Sequence, residues 1–170
     1  MKRLILGLGV FALLVPVTIQ AGVTRQHAAG MVETGTGKVS PTPTPGCATM
    51  AQGCMSTTGT FKGKPLTGSY SAVFTAFWTG SKCAHAGGTL VLQGKGGNSL
   101  TLDEGGTVCK VSSGVVAYHF KGSYSITSGS GIYATAGTGT GKASFDLLRS
   151  GNKVRMSEVG GFSLADRPPI

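Results

Sequence analysis

From Cys47 onward, the apolar residues of this chain recur at every second position rather than every third or fourth. Leu66, Tyr70, Ala72, Phe74, Ala76 and Trp78 share one parity, while Thr67, Ser69, Ser71, Thr75 and Thr79 fill most of the other. Val116, Tyr118, Phe120, Tyr124 and Ile126 repeat the pattern, with His119, Lys121, Ser123 and Ser125 between them. Side chains alternate between the two faces of a β-strand, so this period marks long strands with one buried and one wet face. Gly68 and Gly122 fall at matching places in the two runs, where an interior glycine predicts a bend or bulge.

Shorter strands are predicted at Thr57–Lys62, Thr89–Gln93, Ser99–Asp103, Thr107–Val111, Gly139–Leu148 and Lys153–Leu164. The breaks between them are rich in glycine, which makes up 29 of the 170 residues, and Ser150-Gly151-Asn152 reads as a hairpin turn. Charged residues are only 12% of the chain, too few for a coiled coil or a charged disordered tail. The total is about eight strands with no helix. Closure of such a set removes its sticky edges, so the expected fold class is all-β, an eight-stranded antiparallel barrel, with a β-sandwich as runner-up.

The N-terminus reads as an address. Met1-Lys2-Arg3 precedes the uncharged run Leu4–Val17, and small residues lead to Gly22. This is the order of a secretory signal peptide, expected over residues 1–21. The apolar run is short for a membrane span, so no stable membrane insertion is expected after its removal. Residues 22–46, with Ser40-Pro41-Thr42-Pro43-Thr44-Pro45, are expected to form a Thr/Pro-rich linker ahead of a barrel domain at 47–170. Thr34-Gly35-Thr36-Gly37-Lys38-Val39-Ser40 nearly repeats Thr138-Gly139-Thr140-Gly141-Lys142-Ala143-Ser144, which leaves open that the first copy pairs as a strand.

An exported chain with Cys47, Cys54, Cys83 and Cys109 predicts two disulfides. Of three possible connectivities, Cys47–Cys54 and Cys83–Cys109 are preferred, the second as a staple between neighbouring strands. The spacings lack the close cysteine pairs of a zinc site, so neither metal nor cofactor is expected. The formal charge is +9, but the cations are scattered along the sequence, which argues against a nucleic-acid partner.

Motifs for common chemistries are missing. Gly139-Thr140-Gly141-Lys142-Ala143 lacks the hydroxyl residue that follows the lysine of a phosphate loop. Gly161-Phe162-Ser163-Leu164-Ala165 is not followed by the helix of a nucleophile elbow. His27, His85 and His119 read as solvated, and Asp103-Glu104-Gly105-Gly106 as a turn with its acids solvated or capping backbone N–H groups. Glu158 stands out, because it shares parity with Val154, Met156, Gly160 and Phe162, unless a register shift at the strand end turns it to solvent or opposite Arg155 or Lys153. A carboxyl turned into a barrel has a raised pKa and suits acid or base catalysis. Tyr70, Phe74, Tyr118, Phe120, Tyr124 and Phe162 are candidates to line a ligand cavity, or to fill the barrel solid.

The stretch Gly129-Ser130-Gly131-Ile132-Tyr133-Ala134-Thr135-Ala136-Gly137-Thr138-Gly139 resembles the G-x-G-x-Y/F-x-x-A-x-G-x-G pattern of barrels similar to allene oxide cyclases and dirigent proteins, and of small secreted bacterial proteins that share it. Leu66–Tyr70 and Leu100–Cys109 look like matching strands, so the resemblance covers roughly residues 55–164. It implies an eight-stranded antiparallel barrel that holds an apolar substrate. The matched residues are scaffold glycines; no functional side chain of either family is matched, so catalysis is not carried over. Leu66–Val73 also resembles an avidin strand, but a single tryptophan is too few for a biotin pocket. The expected function is non-catalytic binding of an apolar small molecule, or an envelope or extracellular interaction. The alternative is a cyclase- or isomerase-like enzyme using Glu158.

Overall fold

The structure is a computed structural model that describes residues 26–39, 53–78, 82–137, 139–149 and 153–165. The expected signal peptide, the Ser40–Pro45 run and Cys47 lie outside the described residues. Eight antiparallel strands close into one barrel in chain order: β1 (Gln26–Val39), β2 (Cys54–Lys64), β3 (Gly68–Phe77), β4 (Cys83–Gly94), β5 (Ser99–Lys110), β6 (Val116–Ser130), β7 (Thr140–Leu148) and β8 (Lys153–Ala165). Closure is made by β1 against β8, in unbroken register from Gln26 opposite Ala165 to Lys38 opposite Lys153.

The eight observed strands are not the eight expected ones. Residues 26–39, assigned to a linker, form β1, so the barrel begins well before Cys47. Ser99–Asp103 and Thr107–Val111, expected as two strands, are one strand, β5. The Gly105-Gly106 pair between them is not a turn. Gly106 faces Gly122 across the β5–β6 ladder, where a Cβ would come within 2.4 Å of the Lys121 carbonyl oxygen. Gly68 and Gly122 mark no bulge. The irregularities lie instead between Thr101 and Leu102 and between Val116 and Tyr118.

Alternation produces the core as expected. Tyr70, Ala72 and Phe74 of β3, Leu90 and Leu92 of β4, Leu100 and Leu102 of β5, and Phe120, Tyr124 and Ile126 of β6 are all buried inside. Eight strands leave an interior that side chains can fill, provided large residues meet small ones. Tyr124 shows the device: its ring lies where a Cβ on Gly141 or Gly160 would stand, at 2.4–2.5 Å. Glycine on β7 and β8 is therefore the space that a β6 tyrosine occupies.

The two ends differ. At one, the β2–β3 turn brings Leu66 inward and the β6–β7 connection begins with a short 3-10 turn, Gly131–Tyr133, that buries Tyr133. Tyr133 donates to the Pro65 carbonyl at 3.2 Å and its ring meets Phe162 edge-on at 6.0 Å. Asn98 accepts from the Ile132 N–H at 3.0 Å. Gly131, at φ +62°, adopts a left-handed conformation beside Asn98, where a side chain would clash. The Gly129–Tyr133 motif thus builds a stopper. At the other end, Cys83 and Cys109 face each other across the β4–β5 ladder and form the expected disulfide. Cys54 is also disulfide-bonded; Cys47, its expected partner, lies outside the described residues.

Candidate functional site

The unstoppered end opens into an apolar pocket of about 160 Å³. Its wall comes from the inward residues near the ends of six strands, including Met55, Ala76, Ala86, Val108, Tyr118 and Leu147, with Trp78 just beyond β3. Trp78 is held from two sides: Tyr118 meets it edge-on at 5.8 Å, and the Lys110 ammonium sits 4.9 Å over its ring. Such a cation–π contact orients the indole without filling the pocket. On the rim, Arg149 fixes the β5–β6 loop by donating to the carbonyls of Gly114 (3.1 Å), Val111 (2.5 Å) and Val116 (3.2 Å).

Phe74 and Phe145 form the pocket floor, their rings stacked with centroids 5.5 Å apart. Beneath them lies a void of only about 10 Å³, room for roughly one water. Tyr70, Thr57, Glu104 and Glu158 border it. The barrel is therefore not hollow at this level: an open apolar cup sits above a nearly filled polar layer.

That layer holds three carboxyls. Glu33, Glu104 and Glu158 are 0%, 6% and 1% exposed. Glu33 stands directly opposite Glu158 across the β1–β8 ladder, and Glu104 opposite Tyr124 across β5–β6. Glu33 accepts one hydrogen bond, from the Leu66 N–H at 3.3 Å. Glu33 Oε2, Glu104 Oε1 and Glu158 Oε2 have no hydrogen-bond partner among the described residues. Ionised carboxylates left this dry are costly, so the protonated form is favoured. Burial pushes Glu33 up to about 7, with the Leu66 N–H pulling weakly the other way. Burial also raises Glu104 and, further, Glu158, which additionally feels Glu104 and Glu33. Their protons belong to the pair rather than to either residue. Burial, and after it Glu158 and Glu33, push the Tyr124 phenol up to about 12.

The expected site residues are thus divided by height along the barrel. Phe74, Tyr118 and Phe120 line the open pocket. Tyr70 and Glu158 border the void below the floor. Tyr124 is packed beside Gly141 and Gly160, and Phe162 against the stopper residue Tyr133. Glu158 does point inward, but Phe74 and Phe145 separate it from the pocket. Glu104 corrects the sequence reading: it is a buried strand residue, not a solvated turn acid. Its parity with Leu100 and Leu102 carried that signal, hidden by the assumed turn at Gly105. Glu33 was missed with its strand.

On the outer face, His119 Nδ1 and Asp146 Oδ1 are 2.7 Å apart, and Arg155 reaches the other Asp146 oxygen at 3.4 Å. The cross-strand neighbour of His119 on β5 is Cys109, whose sulfur is held in the disulfide. No group of three His, Cys, Asp or Glu side chains among the described residues has the arrangement of a metal site. Compared with known proteins, the chain matches no family model, no curated protein and no solved structure; the resemblance to allene oxide cyclase-like and dirigent-like barrels extends only to the eight-stranded antiparallel architecture.

Proposed function

We propose that this protein is an exported, non-catalytic binder of a small apolar molecule, held in the aromatic pocket at the open end of the barrel. The observation that carries the reading is the pocket itself: about 160 Å³ of apolar space above a closed floor. A cavity near 150 Å³ accepts a benzene, so the ligand class is a single aromatic ring or the end of a short aliphatic chain. The Cys83–Cys109 disulfide and the signal-like first 21 residues support export.

Trp78, the chain's single tryptophan, stands in the pocket wall and reports on occupancy. Titration with benzene, toluene and butylbenzene should shift its emission saturably. Ala86→Leu, which fills the pocket from β4, should abolish the shift while the protein still folds. Native mass spectrometry of gently purified protein should show excess mass lost on denaturation. No saturable shift across the series, together with no excess mass, would remove the proposal.

The enzymatic alternative rests on Glu158. A substrate in the pocket reaches that carboxyl only by displacing Phe74 or Phe145. Glu158→Gln should accordingly leave binding of the probe series unchanged.

A further inference from the structure

The cations that look scattered in sequence are gathered by the barrel's closure. Strands β7, β8, β1 and β2 are neighbours around the wall, and Lys38, Lys62, Lys64, Lys142, Lys153 and Arg155 are all exposed on it. Lys38 stands directly opposite Lys153 across β1–β8, Arg155 opposite Thr36, and Lys62 opposite Thr34 across β1–β2. Neighbouring strands lie about 4.8 Å apart, so six positive charges share a face roughly 15 Å wide.

Acids do not offset them. Glu33 and Glu158 belong to these same strands but point inward. Asp146 is the one described acid on the outer face of the four strands, and it is shared between His119 and Arg155. Six cations against one acid leave a net charge of +5 on this face. Like charges directly opposite on a ladder are unfavourable, so Lys38 against Lys153 is a cost to the fold.

Between Lys62 and Arg155 the wall has a depression of about 390 Å³, edged by Thr34, Thr36 and Thr60, with Gly35 and the buried side chains of Phe61 and Met156 at its base. Hydroxyls between cations suit a ligand that carries both anions and hydroxyls. The aromatic residues of these strands, Phe61, Phe145 and Phe162, are all buried inside, so the face offers no platform for stacking bases.

We infer that the β7–β8–β1–β2 wall is a docking surface for a carboxylate-bearing polysaccharide, its uronate groups on the lysines and Arg155 and its sugar hydroxyls on the threonines. The inference is independent of the apolar pocket, which opens at the barrel end.

The test is calorimetric titration of the purified protein with oligoguluronate at 20 mM and 150 mM salt. Dextran serves as the uncharged control and a duplex DNA of similar length as the charged one. Binding to oligoguluronate should weaken steeply with salt, as counterion release requires. The triple variant Lys38→Ser, Lys62→Ser, Lys153→Ser should lose about tenfold or more in affinity at 20 mM salt, with a shallower salt dependence. The control Lys82→Ser, Lys95→Ser, which removes two cations from the β4 side, should lose less than about twofold. Circular dichroism confirms that both variants are folded. Absence of oligoguluronate binding at 20 mM salt overturns the inference. So does equal loss in the control variant, or DNA binding as tight as the polysaccharide.

Discussion

The same eight strands finish the barrel in opposite ways at its two ends. At the stoppered end, short connections fold inward: Tyr133 bonds Pro65, Asn98 bonds Ile132, and Leu66 reaches down to Glu33 of the carboxyl layer. At the open end, the rim is tied sideways by Arg149 and by Cys83–Cys109, and nothing described crosses the mouth. Alternation along strands makes the tube, but the connections decide whether an end becomes core or pocket. The stoppered end is packed shut and the open end leaves an apolar pocket accessible, with the carboxyl layer between them.

Four measurements can break or sharpen that contrast. The largest effect is expected at the stopper. Tyr133→Ala removes a buried ring and a hydrogen bond and should cost about 3 kcal/mol or more in urea unfolding. A loss below about 1 kcal/mol would mean that the stopper is ornamental. The response of Trp78 to the probes, at the far end, should persist.

Next comes the carboxyl layer. Each of its glutamates has a folded pKa above the unfolded value of 4.5, so the folded barrel holds more protons than the unfolded chain. Their stabilisation is fully present below about pH 4.5 and is lost as pH rises, through about 7 for Glu33 and beyond that for Glu104 and Glu158. The slope is about 1.4 kcal/mol per pH unit for each extra proton. Glu158→Gln should flatten the slope and leave the variant more stable than the parent at pH 9, by about 1 kcal/mol or more. Identical urea midpoints for the two proteins from pH 5 to pH 9 would contradict a dry carboxyl layer.

At the open end, Trp78→Ala should lower stability by only about 1–2 kcal/mol, because the indole is partly exposed, yet it should abolish probe binding, followed here by calorimetry. If stability falls as far as in Tyr133→Ala, the two ends are not functionally distinct. The smallest effect is expected for Arg149→Met. Three carbonyls of an exposed loop lose one donor side chain, at about 1 kcal/mol. Hydrogen exchange should quicken around residues 111–117 and stay unchanged around Asn98.

Much of the tube was legible in the sequence, because a period of two reports which face a side chain takes. It identified β3, β6, β7 and β8, the inward aromatics and the inward parity of Glu158, while the even cysteine count pointed to the Cys83–Cys109 staple. It does not report height along the barrel, so Tyr118 in the cup and Phe162 near the stopper looked equivalent. Glycine misled most: Gly105-Gly106 looked like a turn, but in a narrow barrel glycine is equally a place where a neighbouring ring or backbone must pass. β1 was hidden by a different conflict. It carries Glu33 at an inward position and leads into a proline run, and both features usually argue against a central strand.

The closing ladder sets when this protein can fold. Gln26–Lys38 must meet Lys153–Ala165, so the first strand of the barrel finds its second partner only in the last. Until the final strand is available, β1 and β7 each keep an unpaired edge, and the carboxyl layer lacks Glu158. Contacts at such sequence separation form slowly and leave strand edges open to other chains meanwhile. A chain built this way stays incompletely closed until β8 has been made.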